Sequence, residues 1–348
     1  MVAGTLNHQT SDAVPRTRKL LDLLSPIAGD LARAEQQLVA QVSGFDEGIR
    51  EHVSYVLGAS GKRLRPSLAL LSGGATGRVG AEHVTLGVIV ELIHVATLVH
   101  DDVLDEADLR HAHPTANARW GNEISVLVGD CLFAHALQLA AGYPGTEVCR
   151  QISQATNTVC AGEILQTRKR YDLNLSMAEY IKIVQMKTGA LFAVSCELGA
   201  WLNGATQSVV KSLYDYGANL GIAYQIFDDC VDIFGQEGKA GKSLGTDMKK
   251  GKMTLPYLLL LDKVEPAMRE KLGSLILAGD RETRNELGDL IRRNGVINES
   301  LATISRYIER AEASLSELPA GGHVDTLAAL LHYLDHESRA VMDACAGR

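Results

Sequence analysis

Residues 91–110 read ELIHVATLVHDDVLDEADLR, and the fold of the chain follows from this stretch. From Val84 to Val99 the sequence is apolar on nearly every side, the pattern of a helix buried all round. Its few polar residues, Glu91, His94, Thr97, Asp101 and Asp105, recur every three or four positions and so share one stripe of that helix. The stripe ends in Asp101, Asp102 and Asp105 at a helix C-terminus, where the dipole disfavours anions. Three carboxylates facing one another there repel unless a cation sits among them. A hard divalent ion with oxygen ligands suits them, and magnesium keeps places free for substrate phosphates.

A second copy of this device lies in LGIAYQIFDDCVDIF, residues 220–234. Asp228, Asp229 and Asp232 repeat the spacing of two adjacent carboxylates plus one, again on an apolar helical run. One such cluster reads equally well as a solvated helix end. Two of them, each capping a buried helix, point to a shared polymetal site holding a highly anionic ligand.

Outward from these clusters lie basic motifs. Gly61-Lys62-Arg63-Leu64-Arg65-Pro66 opens a helix with Pro near its first turn. It reads as a surface cluster or as a grip on a diphosphate, Arg offering a planar fork and Lys a point charge. Arg110-His111-Ala112-His113-Pro114-Thr115 follows the first cluster closely enough for Arg110 to face the same ligand. GEILQ (162–166) and Lys187-Thr188-Gly189 place polar groups on otherwise apolar helices, and each alone reads as structural. Gln225 stands three residues before Asp228, on the face of the second cluster.

The loop GQEGKAGKSLGTDMKKGKMTLP, residues 235–256, tempts a phosphate-loop reading and fails it. The GKS at 241–243 would need glycine at position 236, which is Gln, and no strand precedes it. A cationic lid over a diphosphate fits better, with Lys242 and Lys252 as contacts and Lys249 and Lys250 as solvated neighbours.

Helical spacing of apolar residues runs through 19–42, 46–57, 66–76, 81–106, 115–141, 146–171, 176–203, 206–235, 255–278, 281–294, 297–317 and 323–344. Gly and Pro fall mostly between these segments, and no convincing period-two run or repeat interrupts them. The expectation is an all-α, single-domain helical bundle over 18–348 around a central cavity, after a loose segment 1–17. Beyond residue 265 the helices read as amphipathic and surface-like.

Composition bounds the function. With 348 residues and 46% hydrophobic content, a sizeable core is available. A net charge of -8 argues against a nucleic-acid binder. The six cysteines form no CxxC pair and read as core hydrophobes of a reducing compartment. The N-terminus has no apolar h-region and no run is read as membrane-spanning, so the expectation is a cytoplasmic protein without a transmembrane segment.

Taken together, the motifs resemble the trans-isoprenyl diphosphate synthases, or polyprenyl synthetases. GKRLRP, ELIHVATLVHDDVLDEADLR, WGNEISVLVGD, GEILQ, KTG, YQIFDDCVDIF and GKMTLP occur in the family's order from Gly61 to Pro256. The resemblance implies a fold of the isoprenoid synthase type, a homodimer, and head-to-tail condensation of isopentenyl diphosphate with an allylic diphosphate (geranyl, farnesyl or geranylgeranyl). It implies three Mg2+ ions bound with the diphosphate by Asp101, Asp102, Asp105, Asp228, Asp229 and Asp232. Arg110, Lys187, Thr188, Gln225, Lys242 and Lys252 would contact the allylic diphosphate, and Lys62, Arg65 and His94 isopentenyl diphosphate.

The family's RRGxPT is here Arg110-His111-Ala112-His113-Pro114-Thr115. An unperturbed His111 is charged only near or below a pKa of about 6.5. Weaker, more pH-dependent binding of isopentenyl diphosphate is therefore expected, and an unchanged affinity and pH profile in His111→Arg would refute that. Ser60 replaces a common glycine, with minor effect.

One turn before Asp101 stand Thr97 and Ala96, where the family places aromatic residues as a floor for short chains. With Ile93 and Val90 deeper on the same wall, the expectation is a product of C20 or longer, unless Phe133 or Ile152 supplies the floor. Three rivals are weaker. A terpene cyclase on the same fold carries one DDxxD cluster and aromatic walls, against 5% aromatics here. A non-catalytic subunit of a heteromeric synthase would not keep six aspartates. A ferritin-like di-iron bundle needs two ExxH motifs, and only Glu91-Leu-Ile-His94 occurs.

Overall fold

The run ending in Asp101 forms one helix, α5 (Ala81–Leu104), in a computed structural model that describes residues 16–58, 61–110, 113–235, 245–278 and 281–346. Before it come α1 (Arg16–Leu23), α2 (Ala28–Ala40), α3 (Arg50–Leu57) and α4 (Leu64–Thr76). Gly80 N–H donates to His83 Nδ1 at 3.1 Å and starts α5, while His83 Nε2 meets the Gly199 carbonyl at 3.1 Å. At the other end Ala107 N–H reaches back to the Asp102 carbonyl and Glu106 N–H to that of Val103. That is a Schellman closure, with Glu106 at φ 47 in the position that usually takes glycine.

The closure turns the chain into a two-residue hairpin, β1 (Leu109–Arg110) and β2 (His113–Pro114), with Arg110 opposite His113. Nothing in the sequence alternates long enough to signal it. The pattern at 115–141 is two helices, α6 (Ala116–Trp120) and α7 (Asn122–Ala141), broken at Gly121. Next come α8 (Glu147–Arg168) and α9 (Met177–Val184). A π-helical turn, Gln185–Gly189, then leads into α10 (Ala190–Trp201), and α11 (Gln207–Phe234) follows. The π turn widens the helix by one residue at Lys187 and Thr188, a feature that concentrates at functional sites. Gly162 of α8 lets it approach, since a Cβ there would lie 2.7 Å from the Lys187 nitrogen.

The rest comprises α12 (Thr246–Lys249), α13 (Leu255–Lys263), α14 (Pro266–Ala278), α15 (Arg281–Arg293), α16 (Val296–Ser314) and α17 (Gly322–Ala346). Pro266 splits the run expected at 255–278, because proline excludes helical geometry just before it. The late helices are less peripheral than their pattern suggests. α16 packs along α11, and Ile304, Ala311, Leu327 and Leu331 are fully buried.

The core forms two apolar clusters that share α4 and α10. One joins α10, α11, α16 and α17; the other joins α3, α5, α7 and α8. By length and composition alone, α5 and α7 both reach membrane-spanning size, which the sequence reading did not register. α5 is apolar because it is core on all sides. α7 is a different case, with Ile124, Val126 and Leu127 exposed.

Candidate active site

The C-terminal end of α5 carries the first aspartates, and each is met by a cation of the chain itself. The hairpin brings Arg110 back onto Asp102, where its guanidinium donates to both carboxylate oxygens at 2.7–3.0 Å. Asp101 lies 3.4 Å from Lys187, which also pairs with Glu163 and donates to Gln166 at 3.0 Å. Asp105 receives two cations: Lys252 at 2.6 Å on one oxygen and Arg170 at 2.8 Å on the other. Each of the three carboxylates expected to share a cation has a basic partner from the chain itself.

Electrostatics follow this pairing. Burial pushes Asp105 up, but Lys252, Lys187 and Arg170 outweigh it and hold the carboxyl below its usual range. Burial, aided by Asp101 and Asp105, leaves Asp102 raised in spite of Arg110. Burial pulls the Lys187 ammonium down, but Asp101 and Glu163 carry it above its ordinary value.

The second cluster lies on α11, and its middle carboxyl is enclosed. Asp229 is buried and accepts from Tyr180 Oη at 2.5 Å and Gln225 Nε2 at 2.8 Å, both neutral donors. Gln225 in turn accepts from Thr188 at 2.7 Å, which ties the π turn to α11. Burial and then repulsion from Asp247 push Asp229 up to about 8. Asp232 caps α12, accepting from the Thr246 hydroxyl at 3.1 Å and the Asp247 N–H at 3.2 Å. Asp228 is partly buried beside them. Lys252 closes the gap between the clusters, 2.6 Å from Asp105 and 3.8 Å from Asp247.

A hard cation fits this donor set. All six aspartates offer oxygen, and a cation there would offset the repulsion between buried Asp229 and Asp247. Among the described residues no three His, Cys, Asp or Glu side chains converge to hold an ion alone.

The GKRLRP motif divides. Arg63, at φ 49, turns inward to Glu35 at 2.8–2.9 Å and Glu91 at 2.7 Å, a structural role. Lys62 is exposed, its ammonium 5.7 Å above the Tyr224 ring. The Arg65 guanidinium lies 4.7 Å from the Phe192 ring centre, and its Nε is buried with no hydrogen-bond partner among the described residues. Burial pushes that guanidinium down to about 10, so it stays charged at neutral pH. His94, pushed well below its usual value by burial and then by Arg65, Arg110 and Arg63, is neutral there. Of the wall residues, Ile93 and Ala96 are fully buried, and only Thr97 is partly open. Ser60, His111 and Lys242 lie outside the described residues.

Sequence reasoning missed Arg170, Tyr180 and Asp247. A carboxylate within the lysine-rich loop was a usable signal for Asp247. Arg168-Lys169-Arg170 looks like any solvated helix end, and nothing marks Tyr180 off from other core aromatics.

The sequence matches the polyprenyl synthetase family over residues 46–292. It is 34% identical over 328 residues to heptaprenyl diphosphate synthase component 2 of Bacillus subtilis, covering 94% of this chain and 93% of that one. It is 32% identical over 306 residues to octaprenyl diphosphate synthase of Escherichia coli, covering 88% and 95%. A decaprenyl diphosphate synthase structure from Rhodobacter capsulatus superposes with a TM-score of 0.86 at 33% identity, over 92% of this chain and 99% of that one. A Caulobacter crescentus polyprenyl synthase, solved with calcium and isoprenyl diphosphate, superposes at 0.85 and 32% identity, over 91% and 97%.

Proposed function

The chain belongs to the polyprenyl synthetase family, and from that premise we propose a magnesium-dependent prenyltransferase that makes all-trans polyprenyl diphosphates of C20 or longer. It joins isopentenyl diphosphate head to tail to an allylic diphosphate such as geranyl, farnesyl or geranylgeranyl diphosphate. The observation that carries this reading is Lys252, which contacts Asp105 of α5 and approaches Asp247 beside the α11 cluster. It makes the two aspartate clusters one polar site, rimmed by Arg110 and Lys187.

In this reading Arg110, Lys187, Lys252, Thr188 and Gln225 hold the allylic diphosphate, with Lys242 joining them from the lid. Lys62, Arg65 and neutral His94 hold isopentenyl diphosphate. The orphaned Arg65 Nε is a donor awaiting an anion. Magnesium, when bound, supplies charge that steadies the leaving diphosphate. The apolar walls of α5 exclude water from the allylic cation, and the departing diphosphate takes the proton, so no side-chain base is required. A cytoplasmic setting suits the free thiols of Cys131, Cys149, Cys160, Cys196 and Cys230. A homodimer suits the exposed apolar side of α7.

The test incubates the protein with magnesium, labelled isopentenyl diphosphate and each allylic diphosphate in turn, then sizes the dephosphorylated products. A ladder ending at C20 or beyond is expected. Label left in isopentenyl diphosphate, with the allylic substrate cyclised or untouched, would defeat the reading.

A further inference from the structure

Asp105 carries one negative charge and two cations, Lys252 on Oδ2 and Arg170 on Oδ1. Lys252 alone would neutralise it. Arg170 comes from the turn after α8, and its guanidinium is largely shielded, the side chain 19% exposed. Its Nε is buried and has no hydrogen-bond partner among the described residues, so the pair with Asp105 leaves donor capacity unused. A buried donor without an acceptor is costly, and a guanidinium fork fits a planar or phosphate oxygen pair better than a single carboxylate oxygen.

The turn that carries Arg170 is fixed rather than loose. Tyr171 adopts φ 63, donates its N–H to the Gly251 carbonyl at 2.7 Å and its hydroxyl to the Lys249 carbonyl at 3.3 Å. Gly251, itself at φ 68, leaves room for the ring, which a Cβ would meet at 2.5 Å. The carriers of Arg170 and Lys252 are therefore locked together, and the two cations arrive at Asp105 as a pair.

We propose that Arg170 is a diphosphate-binding residue of the allylic site. With Asp105 engaged by a bound metal ion, Arg170 and Lys252 would both be free to donate to the diphosphate oxygens. The proposal rests on the aspartate site reading given above and adds a ligand contact to it.

The test is calorimetric titration of the full chain with inorganic pyrophosphate in magnesium. Arg170→Gln should weaken binding about ten- to a hundredfold, the worth of a charge-assisted hydrogen bond. Arg170→Lys should recover part of the loss, and the KM for the allylic substrate should rise while that for isopentenyl diphosphate holds. Wild-type affinity in Arg170→Gln, or tighter binding because a competitor for Asp105 is gone, would reduce Arg170 to a counter-ion and overturn the proposal. A wild-type chain that binds no magnesium pyrophosphate would instead overturn the reading of the aspartate site, and this proposal with it.

Discussion

Asp229 shows how a single carboxyl can be held out of its ordinary state by its surroundings. Burial and the nearby Asp247 raise it from 3.8 to about 8, and its hydrogen-bond partners Tyr180 and Gln225 are neutral. Between those values the folded chain holds a proton that the unfolded chain releases. Stability without metal is therefore highest below pH 4 on this account and falls as pH rises through about 8. Asparagine cannot ionise, so Asp229→Asn should lose less melting temperature than wild type between about pH 6 and pH 9 in a chelator. Its activity should fall about a hundredfold or more, because a cation can no longer displace the proton. Parallel melting curves for the two proteins would refute the assignment. His83 carries the opposite sign: burial lowers it, and the neutral ring bridges Gly80 and Gly199. Its contribution is present above about 6.5 and fades as pH falls.

At the scale of elements, α5 carries both the first aspartates and the proposed wall residues. Its polar stripe and its two ends follow from local spacing, so a reader of residues 91–110 sees Asp101, Asp102 and Asp105 in place. The partners that neutralise them were less visible. Arg110 reaches Asp102 only because Glu106 closes the helix in a left-handed turn and the hairpin folds back. Arg170 and Lys252 come from 65 and 147 residues away in sequence. Such pairings are made by tertiary packing, which no local period encodes. The π turn was illegible for the same reason, since Gly162 and the α8 packing set it. The wall residues of α5 divide on burial. Ala96 is fully buried, so a ring there would overpack the core at a cost of roughly 1–3 kcal/mol. Thr97 is partly open, its hydroxyl bonded to the His94 carbonyl at 2.7 Å, so a larger side chain there is not forced wholly into the core. Thr97→Phe should therefore shift the product ladder toward farnesyl length with the fold intact. An unchanged ladder would move the floor to Phe133 or Ile152.

For the whole molecule, the two core clusters hold most of the buried apolar side chains, and α7 adds three exposed ones within four residues. Only 33% of its most apolar stretch is buried, against 72% for α5. Ile124, Val126 and Leu127 stand 38%, 40% and 59% exposed, with Cys131 and Phe133 partly open beyond them. The sequence alone could not separate α7 from α5, because both read as core helices and burial is a property of the assembled bundle. These side chains share the outer face of α7 with exposed Glu123 and Asp130, and an apolar group of that kind on a folded chain invites a cover. A second copy of the same helix is the economical one, since a two-fold contact pairs one patch with itself. A stable interface needs roughly 1,200–2,000 Å² in total, more than α7 alone supplies, so flanking helices must take part. Sedimentation at micromolar concentration should give a dimer, and Leu127→Glu, which puts two charges into that contact, should give monomers that remain folded. Wild-type monomers that bind lipid vesicles would assign the face to a membrane. Monomers that associate only with an unlike subunit would fit the naming of the Bacillus relative as one component of a synthase. A dimer that survives Leu127→Glu would mean that another face holds the copies together and that the exposed side of α7 serves some other contact.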